Sequence, residues 1–246
     1  MMNVAVILAG GTGTRTGLEL PKQYYEVNGK AVISYCLHTF FTHEKIDAVQ
    51  IVADEMWHEY IIQQLFGLPY NEKFRGFSAP GENRQLSIYN ALMDIRGYAL
   101  ENDTVVIHDA ARPCVSVAQI ADCLRAAKGH DGALPVLPVK DTVYLSEDGK
   151  TISSLLDRRK VFAGQTPEAF VFGKYYEANR TLLPDKILEI NGSTESAVMA
   201  GMDIAMILGE ERNFKITTAA DLERFQETVR SKEGDIDESM GIARHR

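Results

Sequence analysis

The stretch VAVILAGGTGTR, residues 4–15, places a short apolar run directly before a glycine-rich loop. Such a run predicts a buried strand, and Gly10-Gly11 marks its end. Glycines let the backbone approach an anion, so that successive N–H groups can face a phosphate. The start of the chain therefore predicts a strand followed by a phosphate-binding loop.

The region that follows alternates between amphipathic stretches and β-branched runs. This alternation predicts an α/β fold, a Rossmann-like, mostly parallel sheet with helices on both faces. The expected helices lie at 31–41, 56–65, 84–95 and 117–128, and the expected strands at 4–7, 49–53, 104–107 and 132–138.

Residues 141–155 interrupt the α/β alternation. Two short runs flank Glu147-Asp148-Gly149, a pattern typical of a β-hairpin. A hairpin that packs on nothing is marginal in water, so we expect a protruding arm that grips a partner subunit.

The rest of the chain is expected to complete one domain spanning residues 1–230. Helices are predicted at 172–181, 194–200 and 219–229, and strands at 203–208 and 214–216. The polar tail 231–246 lacks periodicity and is expected to be disordered.

Composition narrows the class of protein. With 246 residues, 45% of them hydrophobic, the chain can bury one sizeable core. A net charge of −8 argues against nucleic-acid or anionic-membrane partners. The apolar run 4–9 is too short to span a membrane and lacks a basic flank, which favours the cytoplasm. Three cysteines without C-x-x-C spacing indicate neither a disulfide framework nor a zinc cluster.

Several interpretations of the glycine loop compete. A dinucleotide-binding loop fits poorly, because Gly17 comes one residue late, Asp54 follows at about 40 residues rather than about 20, and Pro21 occupies the expected helix start. A P-loop needs Gly-Lys-Ser/Thr, which is missing. A nucleotidyltransferase loop would use Arg15 and Lys22 at a triphosphate. The alternative without a binding function is a plain turn whose basic side chains are solvated.

The sequence VVIHDAARP, residues 105–113, puts Asp109 just past an apolar strand, where parallel sheets present their ligands. Mg²⁺ with phosphate oxygens favours such a carboxylate, so Asp109 is a candidate to organise Mg²⁺ or an acceptor alcohol. Arg112 is suited to hold that carboxylate or a phosphate. His108 is expected to be structural, because a phosphate nucleophile needs no general base.

Residues 8–23 and HDAARP at 108–113 resemble the 2-C-methyl-D-erythritol 4-phosphate cytidylyltransferase family and its relatives, the ribitol-5-phosphate cytidylyltransferases. The resemblance extends from about Val4 to Phe225 and includes Gln165-Thr166-Pro167. It implies transfer of a cytidylyl group from CTP to a small polyol phosphate, with Mg²⁺ as cofactor and a homodimer as the assembly.

The resemblance also implies residue roles. Arg15 and Lys22 would be catalytic at the triphosphate. The expected CTP-binding residues are Leu8, Ala9, Gly10, Gly11, Gly81, Arg84 and Ser87. The expected acceptor-binding residues are Asp109, Arg112, Thr142, Arg158 and Lys215, with Arg158 reaching across the dimer.

Some segments depart from the family pattern or point to different branches of it. The family usually has a Thr-Asp-Glu/Asp-Ala-like run where this chain has Ser193-Thr194-Glu195. Residues 8–11 and 163–167 resemble the ribitol branch, whereas residues 110–113, 139–142 and 157–158 resemble the methylerythritol branch. We expect 2-C-methyl-D-erythritol 4-phosphate as the acceptor. Ribitol 5-phosphate is the alternative, and a nonenzymatic nucleotide-binding regulatory protein is an alternative of another class.

Overall fold

The structure is a computed structural model that describes residues 1–11 and 20–242, with residues 232–242 described by their backbone alone. The strands are β1 Asn3–Leu8, β2 Glu26–Val27, β3 Lys30–Ala31, β4 Ala48–Val52, β5 Phe74–Ser78, β6 Thr104–Asp109, β7 Gly132–Pro138, β8 Tyr144–Leu145, β9 Ser154–Leu155, β10 Phe162–Gly164, β11 Glu168–Val171 and β12 Ile204–Leu208. The α-helices are α1 Val32–Thr42, α2 His58–Leu65, α3 Arg84–Ile95, α4 Val117–Ala126, α5 Phe172–Arg180, α6 Ser193–Met199 and α7 Ala219–Ile242.

The main sheet contains eight strands of the described chain, in the order β10-β7-β11-β6-β1-β4-β5, with β12 paired to β7. Strands β6, β1, β4 and β5 are mutually parallel, and β12 is parallel to β7. Strand β11 runs antiparallel to β6 and β7, and β10 runs antiparallel to β7. The predicted α/β sheet is confirmed, with a parallel core and two antiparallel insertions.

Helices cover both faces of the sheet because successive strand residues point to opposite sides. Ala5 and Ile7 of β1 pack in a buried cluster with residues of α1, α2 and α4. Val4 and Val6 pack in a second cluster with residues of α3, α5 and α6. This double burial explains why residues 4–8 of β1 are all apolar rather than alternating with polar residues.

The predicted hairpin is present as the pair β8–β9, in which Tyr144 lies opposite Leu155. Asp148 stabilises the turn by accepting the backbone N–H groups of Lys150 and Thr151, each at 2.8 Å. Gly149 has a φ of +69°, a left-handed conformation that favours glycine. Residues 141–155 form the feature called the arm below.

One sequence prediction near the carboxyl end is wrong. Residues 214–216 form no strand in the described chain. The N–H of Ile216 donates to the carbonyl oxygen of Ala111, in the loop that follows β6, at 2.8 Å. The backbone of helix α7 continues to Ile242. The expected disorder of the tail 231–246 stays a prediction, and residues 243–246 lie outside the described residues.

Helix α7 starts at the predicted cap. Thr218 Oγ1 accepts the N–H of Asp221 at 3.3 Å, and the Asp221 carboxylate accepts the N–H of Thr218 at 2.8 Å. No helix among the described residues combines the length and the apolar character needed to cross a membrane.

Candidate active site

A cleft of about 380 Å³ opens at the carboxyl ends of the central parallel strands. Leu8 ends β1, Val52 ends β4 and Asp109 ends β6, so three strand ends meet there. Open α/β sheets present their ligands at this edge. The cleft is lined by Leu8, Gly10, Gly11, Lys22, Gln23, Val52, Gly81, Glu82, Asn83, Arg84, Ser87, Asp109, Ala111 and Lys215.

Asp109 is the centre of charge in this cleft. Its Oδ1 contacts Nε and Nη2 of Arg84, each at 3.0 Å. Its Oδ2 lies 2.9 Å from Lys215 Nζ and 3.6 Å from Arg112 Nε. Three cations from distant parts of the chain therefore share one carboxylate.

The ionisation of Asp109 depends on these cations. Burial alone would raise the pKa of this carboxyl group, but Arg84, Lys215 and Arg112 hold the pKa well below its usual range. Asp109 thus stays negatively charged and keeps the three cations close together, where they would otherwise repel one another.

His108 is fully buried behind Asp109 and is hydrogen-bonded at both ring nitrogens. Its Nε2 lies 3.1 Å from the carbonyl oxygen of Arg112, which can only accept, so Nε2 carries the proton. Its Nδ1 then accepts the hydroxyl proton of Thr166 at 3.1 Å, and Thr166 Oγ1 accepts the N–H of Asp109 at 3.1 Å. Burial lowers the pKa of His108 to about 3. A buried histidine bonded at both ring nitrogens fits a structural role, which stays a prediction.

The beginning of the glycine loop is held by side chains that the sequence interpretation missed. Gln23 Nε2 donates to the carbonyl oxygens of Ala9 and Gly11, each at 2.7 Å, and the Tyr24 hydroxyl donates to Ala9 at 2.9 Å. Ala9 is buried and does not line the cleft, so its role in the structure is to receive these bonds. A β-carbon on Gly10 would lie 2.6 Å from Pro80 Cβ, so a side chain does not fit there.

The predicted nucleotide segment at 81–87 forms the start of α3. Asn83 caps the helix by accepting the N–H of Leu86 at 2.8 Å. The Ser87 hydroxyl accepts the N–H of Gly81 at 2.9 Å and donates to the carbonyl of Asn83 at 2.8 Å. A β-carbon on Gly81 would meet Leu86 at 2.6 Å, which explains the glycine. Gly81, Arg84 and Ser87 all line the cleft, and their binding of CTP stays a prediction.

Lys22 lies in the cleft at the start of a short 3₁₀-helix, Lys22–Tyr24. Arg15 lies outside the described residues. The cleft thus brings four of the predicted residues beside Asp109 and Lys215, namely Leu8, Gly10, Gly11 and Lys22. The structure does not describe Arg15, the second predicted cation of the loop.

Thr142 and Arg158 belong to a different part of the surface. Thr142 is exposed within the arm, and Arg158 is exposed just after it, where its Nη1 donates to the carbonyl of Lys140 at 2.7 Å. Neither residue lines the cleft of its own chain. Arg112 does not line the cleft either, but it contacts Asp109, which does.

Glu168 is a buried acid near the cleft that the sequence did not single out. Its carboxylate accepts the hydroxyl of Ser193. Burial raises the pKa of Glu168, although the charge of Arg84 and the bond from Ser193 both lower it. Thr194 stands where the family pattern has its first acid, and the hydroxyl of the preceding residue, Ser193, donates to the Glu168 carboxylate.

The described residues contain no group of three or more His, Cys, Asp or Glu side chains that could hold a metal ion. Mg²⁺ is often bound by one or two carboxylates together with substrate phosphates and water, so Asp109 fits such a shared site. Both oxygens of Asp109 contact cations here, and those cations would have to turn toward phosphates for a metal to bind.

Comparisons with known proteins show which proteins the chain is similar to. The sequence matches the family model for 2-C-methyl-D-erythritol 4-phosphate cytidylyltransferase over residues 3–231. The ribitol-5-phosphate cytidylyltransferase of Lacticaseibacillus paracasei is 33% identical over 94% of this chain and 100% of that protein. The 2-C-methyl-D-erythritol 4-phosphate cytidylyltransferase of Clostridium beijerinckii is 32% identical over 89% of this chain and 94% of that protein. The crystal structure of the Francisella tularensis enzyme of the latter name has a TM-score of 0.76 at 26% identity, covering 92% of this chain and 100% of that chain.

Proposed function

The chain belongs to the 2-C-methyl-D-erythritol 4-phosphate cytidylyltransferase family, and we propose that it transfers the cytidylyl group of CTP to 2-C-methyl-D-erythritol 4-phosphate. The observation that carries the proposal is the cleft in which Arg84, Arg112 and Lys215 surround Asp109 beside the glycine loop. This cleft is suited to two phosphate-bearing ligands. Family membership makes the protein a nucleotidyltransferase and leaves the nonenzymatic alternative without support.

In the proposed reaction, a phosphate oxygen of the acceptor attacks the α-phosphorus of CTP. The bond between that phosphorus and the bridging oxygen of the β-phosphate breaks, and pyrophosphate leaves with the bonding electrons. The acceptor phosphate is already a competent nucleophile, so the site needs no general base. Catalysis then rests on alignment of two anions and on neutralisation of the charge that develops between them.

For the nucleotide, we assign the triphosphate to Lys22, Arg15 and the backbone of Gly10-Gly11. Gly81, Arg84 and Ser87 would contact the base and ribose at the start of α3. Lys22 projects from the wall of the cleft next to the glycine loop, which supports its placement at the leaving phosphates.

For the acceptor, we assign Asp109 to a hydroxyl group and Lys215 to the phosphate, with Arg112 holding Asp109 in place. Thr142 and Arg158 would complete this half of the site from the arm of a second subunit. Exposure of the arm's apolar residues supports a homodimer, since Tyr144, Ile152 and Leu155 are 55%, 67% and 64% exposed.

Mg²⁺ is the proposed cofactor, and Asp109 would hold it together with phosphate oxygens of the nucleotide. When bound, the ion would neutralise charge on the phosphates. We expect chelation by EDTA to abolish pyrophosphate release and added Mg²⁺ to restore it. Turnover that survives removal of divalent ions would contradict the assignment. Location in the cytoplasm stays a prediction.

Ribitol 5-phosphate is the second candidate acceptor, because the 33% identical Lacticaseibacillus relative is named for it. A pyrophosphate-release assay with CTP and Mg²⁺ separates the two acceptors. We expect turnover with 2-C-methyl-D-erythritol 4-phosphate, and the Lys22→Ala variant serves as the background control. Turnover with ribitol 5-phosphate alone would overturn the choice of acceptor, and turnover with neither would overturn both.

A further inference from the structure

Asn213 is completely buried and lies two residues before Lys215. Its side-chain Nδ2 donates to the carbonyl oxygen of Thr166 at 2.6 Å and to Oε1 of Gln119 at 2.9 Å. The amide therefore fastens the segment before α7 to helix α4 and to the segment that precedes β11.

The backbone of Asn213 makes a second connection. Its carbonyl oxygen accepts Nη1 of Arg112 at 2.7 Å and Nε2 of Gln165 at 3.3 Å. Arg112 and Lys215 are the two groups that contact Oδ2 of Asp109. Both are thus tied to the position of this one residue.

Thr166 closes the arrangement into a ring. Its carbonyl accepts the Asn213 amide, and its hydroxyl accepts the N–H of Asp109. The ring runs from Asp109 through Thr166, Asn213 and Arg112 back to Asp109. A displacement of Asn213 would therefore change the direction of the cations around Asp109.

We propose that Asn213 is a positioning residue for cytidylyl transfer, which fixes Lys215 and Arg112 against Asp109 in the orientation that receives the acceptor. The inference rests on the proposed acceptor role of these residues. Asn213 does not line the cleft, so it would act through its neighbours and not by touching substrate.

The local structure around Lys215 does not by itself fix the orientation of this side chain. Residues 214–217 belong to no helix or strand, and Lys215 carries its charge on a flexible four-carbon stem that is 34% exposed. The segment is also held by the N–H of Asn213, which donates to Glu210 O at 2.9 Å, by the N–H of Ile216, which donates to Ala111 O at 2.8 Å, and by burial of the Ile216 side chain. A misplacement of about 1 Å can cost about 10²-fold in rate.

The test compares Asn213→Ala with Gln50→Ala. Gln50 is a matched control, because it is also a buried amide with two side-chain hydrogen bonds, to Ser78 Oγ at 2.9 Å and from Tyr98 at 3.2 Å, outside the cleft. We expect Asn213→Ala to lower kcat/KM for the acceptor by about 10- to 100-fold while KM for CTP changes less than about 3-fold. Gln50→Ala should lower the Tm comparably and leave both parameters near wild type.

A double-mutant cycle shows whether the effect passes through Lys215. In a Lys215→Ala background, the loss of kcat/KM caused by Asn213→Ala should be at least about five times smaller than in the wild-type background. Equal losses in the two backgrounds would overturn the proposal, as would kinetic parameters that match those of Gln50→Ala. If Asn213→Ala does not fold, Gln119→Ala removes one partner of the same amide and should act in the same direction with a smaller loss.

A readout that needs no turnover separates this inference from the proposed function. After reductive ¹³C-methylation, the NMR resonance of Lys215 can be assigned by its absence in Lys215→Arg. We expect that resonance to move in Asn213→Ala and to stay in place in Gln50→Ala. If the wild type turns over neither acceptor, the proposed function fails, and an unmoved Lys215 resonance would then also overturn the positioning role.

Discussion

Lys215 Nζ lies 2.9 Å from Asp109 Oδ2, and this contact joins the segment before the last helix to the end of a central strand. Arg84 occupies the other oxygen of the same carboxylate from the first turn of α3. Because one anion is shared by three cations, its charge decides whether the cations can stay together in the absence of ligand.

We predict that Asp109→Asn leaves these cations without their counter-charge. Removing one partner of a buried ion pair typically costs about 3 kcal/mol or more. The free energy of unfolding, measured by urea denaturation at pH 7, should fall by about this amount, and activity should fall by at least about 10²-fold.

Asp122→Asn is the control, because the ion pair of Asp122 with Arg125 lies on the surface, with 52% and 70% of the two side chains exposed. Its unfolding free energy should change by less than about 0.5 kcal/mol. An Asp109→Asn variant as stable as this control would mean that the three cations are solvated and that the cluster is not electrostatically coupled.

A second prediction concerns His108, whose pKa is lowered to about 3 by burial. Between pH 6 and 4 the unfolded chain binds a proton on this histidine and the folded chain does not. Stability should therefore fall as the pH falls, by up to about 1.4 kcal/mol per pH unit from this residue. In His108→Gln the slope of unfolding free energy against pH should be smaller by about that amount.

Denaturation curves at half-unit pH steps from 4 to 6 measure this slope. His130→Gln is the control, because His130 lies on the surface, where its Nδ1 is 2.7 Å from Asp203. The His130→Gln variant should lose as much stability between pH 6 and 4 as the wild type does through His108, because His108 is still present. Parallel slopes for wild type and His108→Gln would show that His108 is protonated in the folded protein.

The sequence predicted the site best where the chemistry is local. Asp109 and Gly81 each lie at an element end marked by an apolar run or a helix start, and parallel topology then brings such ends to one edge. Lys215 was placed by resemblance, and the structure brings it to Asp109 through the loop that precedes α7.

The missed features depend on pairing between distant segments. Strands β10 and β11 were not predicted, because they are three and four residues long and lie on either side of Pro167. The bonds of Thr166 and Asn213 likewise join residues far apart in sequence, and no periodicity reports such contacts. Residues 214–216 look like a strand by composition but find no strand partner among the described residues.

Lys22→Ala is predicted to lower kcat by about 10²–10³-fold, the usual loss when one preorganised donor to transition-state charge is removed. Lys30→Ala is the control, because Lys30 is exposed in β3 and does not line the cleft. Steady-state pyrophosphate release measures both. A change confined to KM would mean that Lys22 binds the ground state and the transition state equally and does not stabilise the transition state selectively.

The last prediction concerns the arm and the second subunit. Arg158 lies outside the cleft of its own chain, and the hairpin before it exposes apolar side chains. Two strands of two residues each cannot bury enough surface to be stable alone, so a partner subunit is the expected support. Size-exclusion chromatography with light scattering should give the mass of a homodimer.

Mixing two inactive variants, Lys22→Ala and Arg158→Ala, tests whether the site is shared. If Arg158 acts across the interface, a mixed dimer carries both lesions in one site and none in the other, so activity should return to about a quarter of wild type under statistical exchange. If Arg158 acts within its own chain, every site keeps one lesion and the mixture stays inactive. Exchange is verified with differently tagged subunits, and a mixture of Lys22→Ala with itself is the control. Inactivity despite proven exchange would rule out the shared site even if the dimer is real.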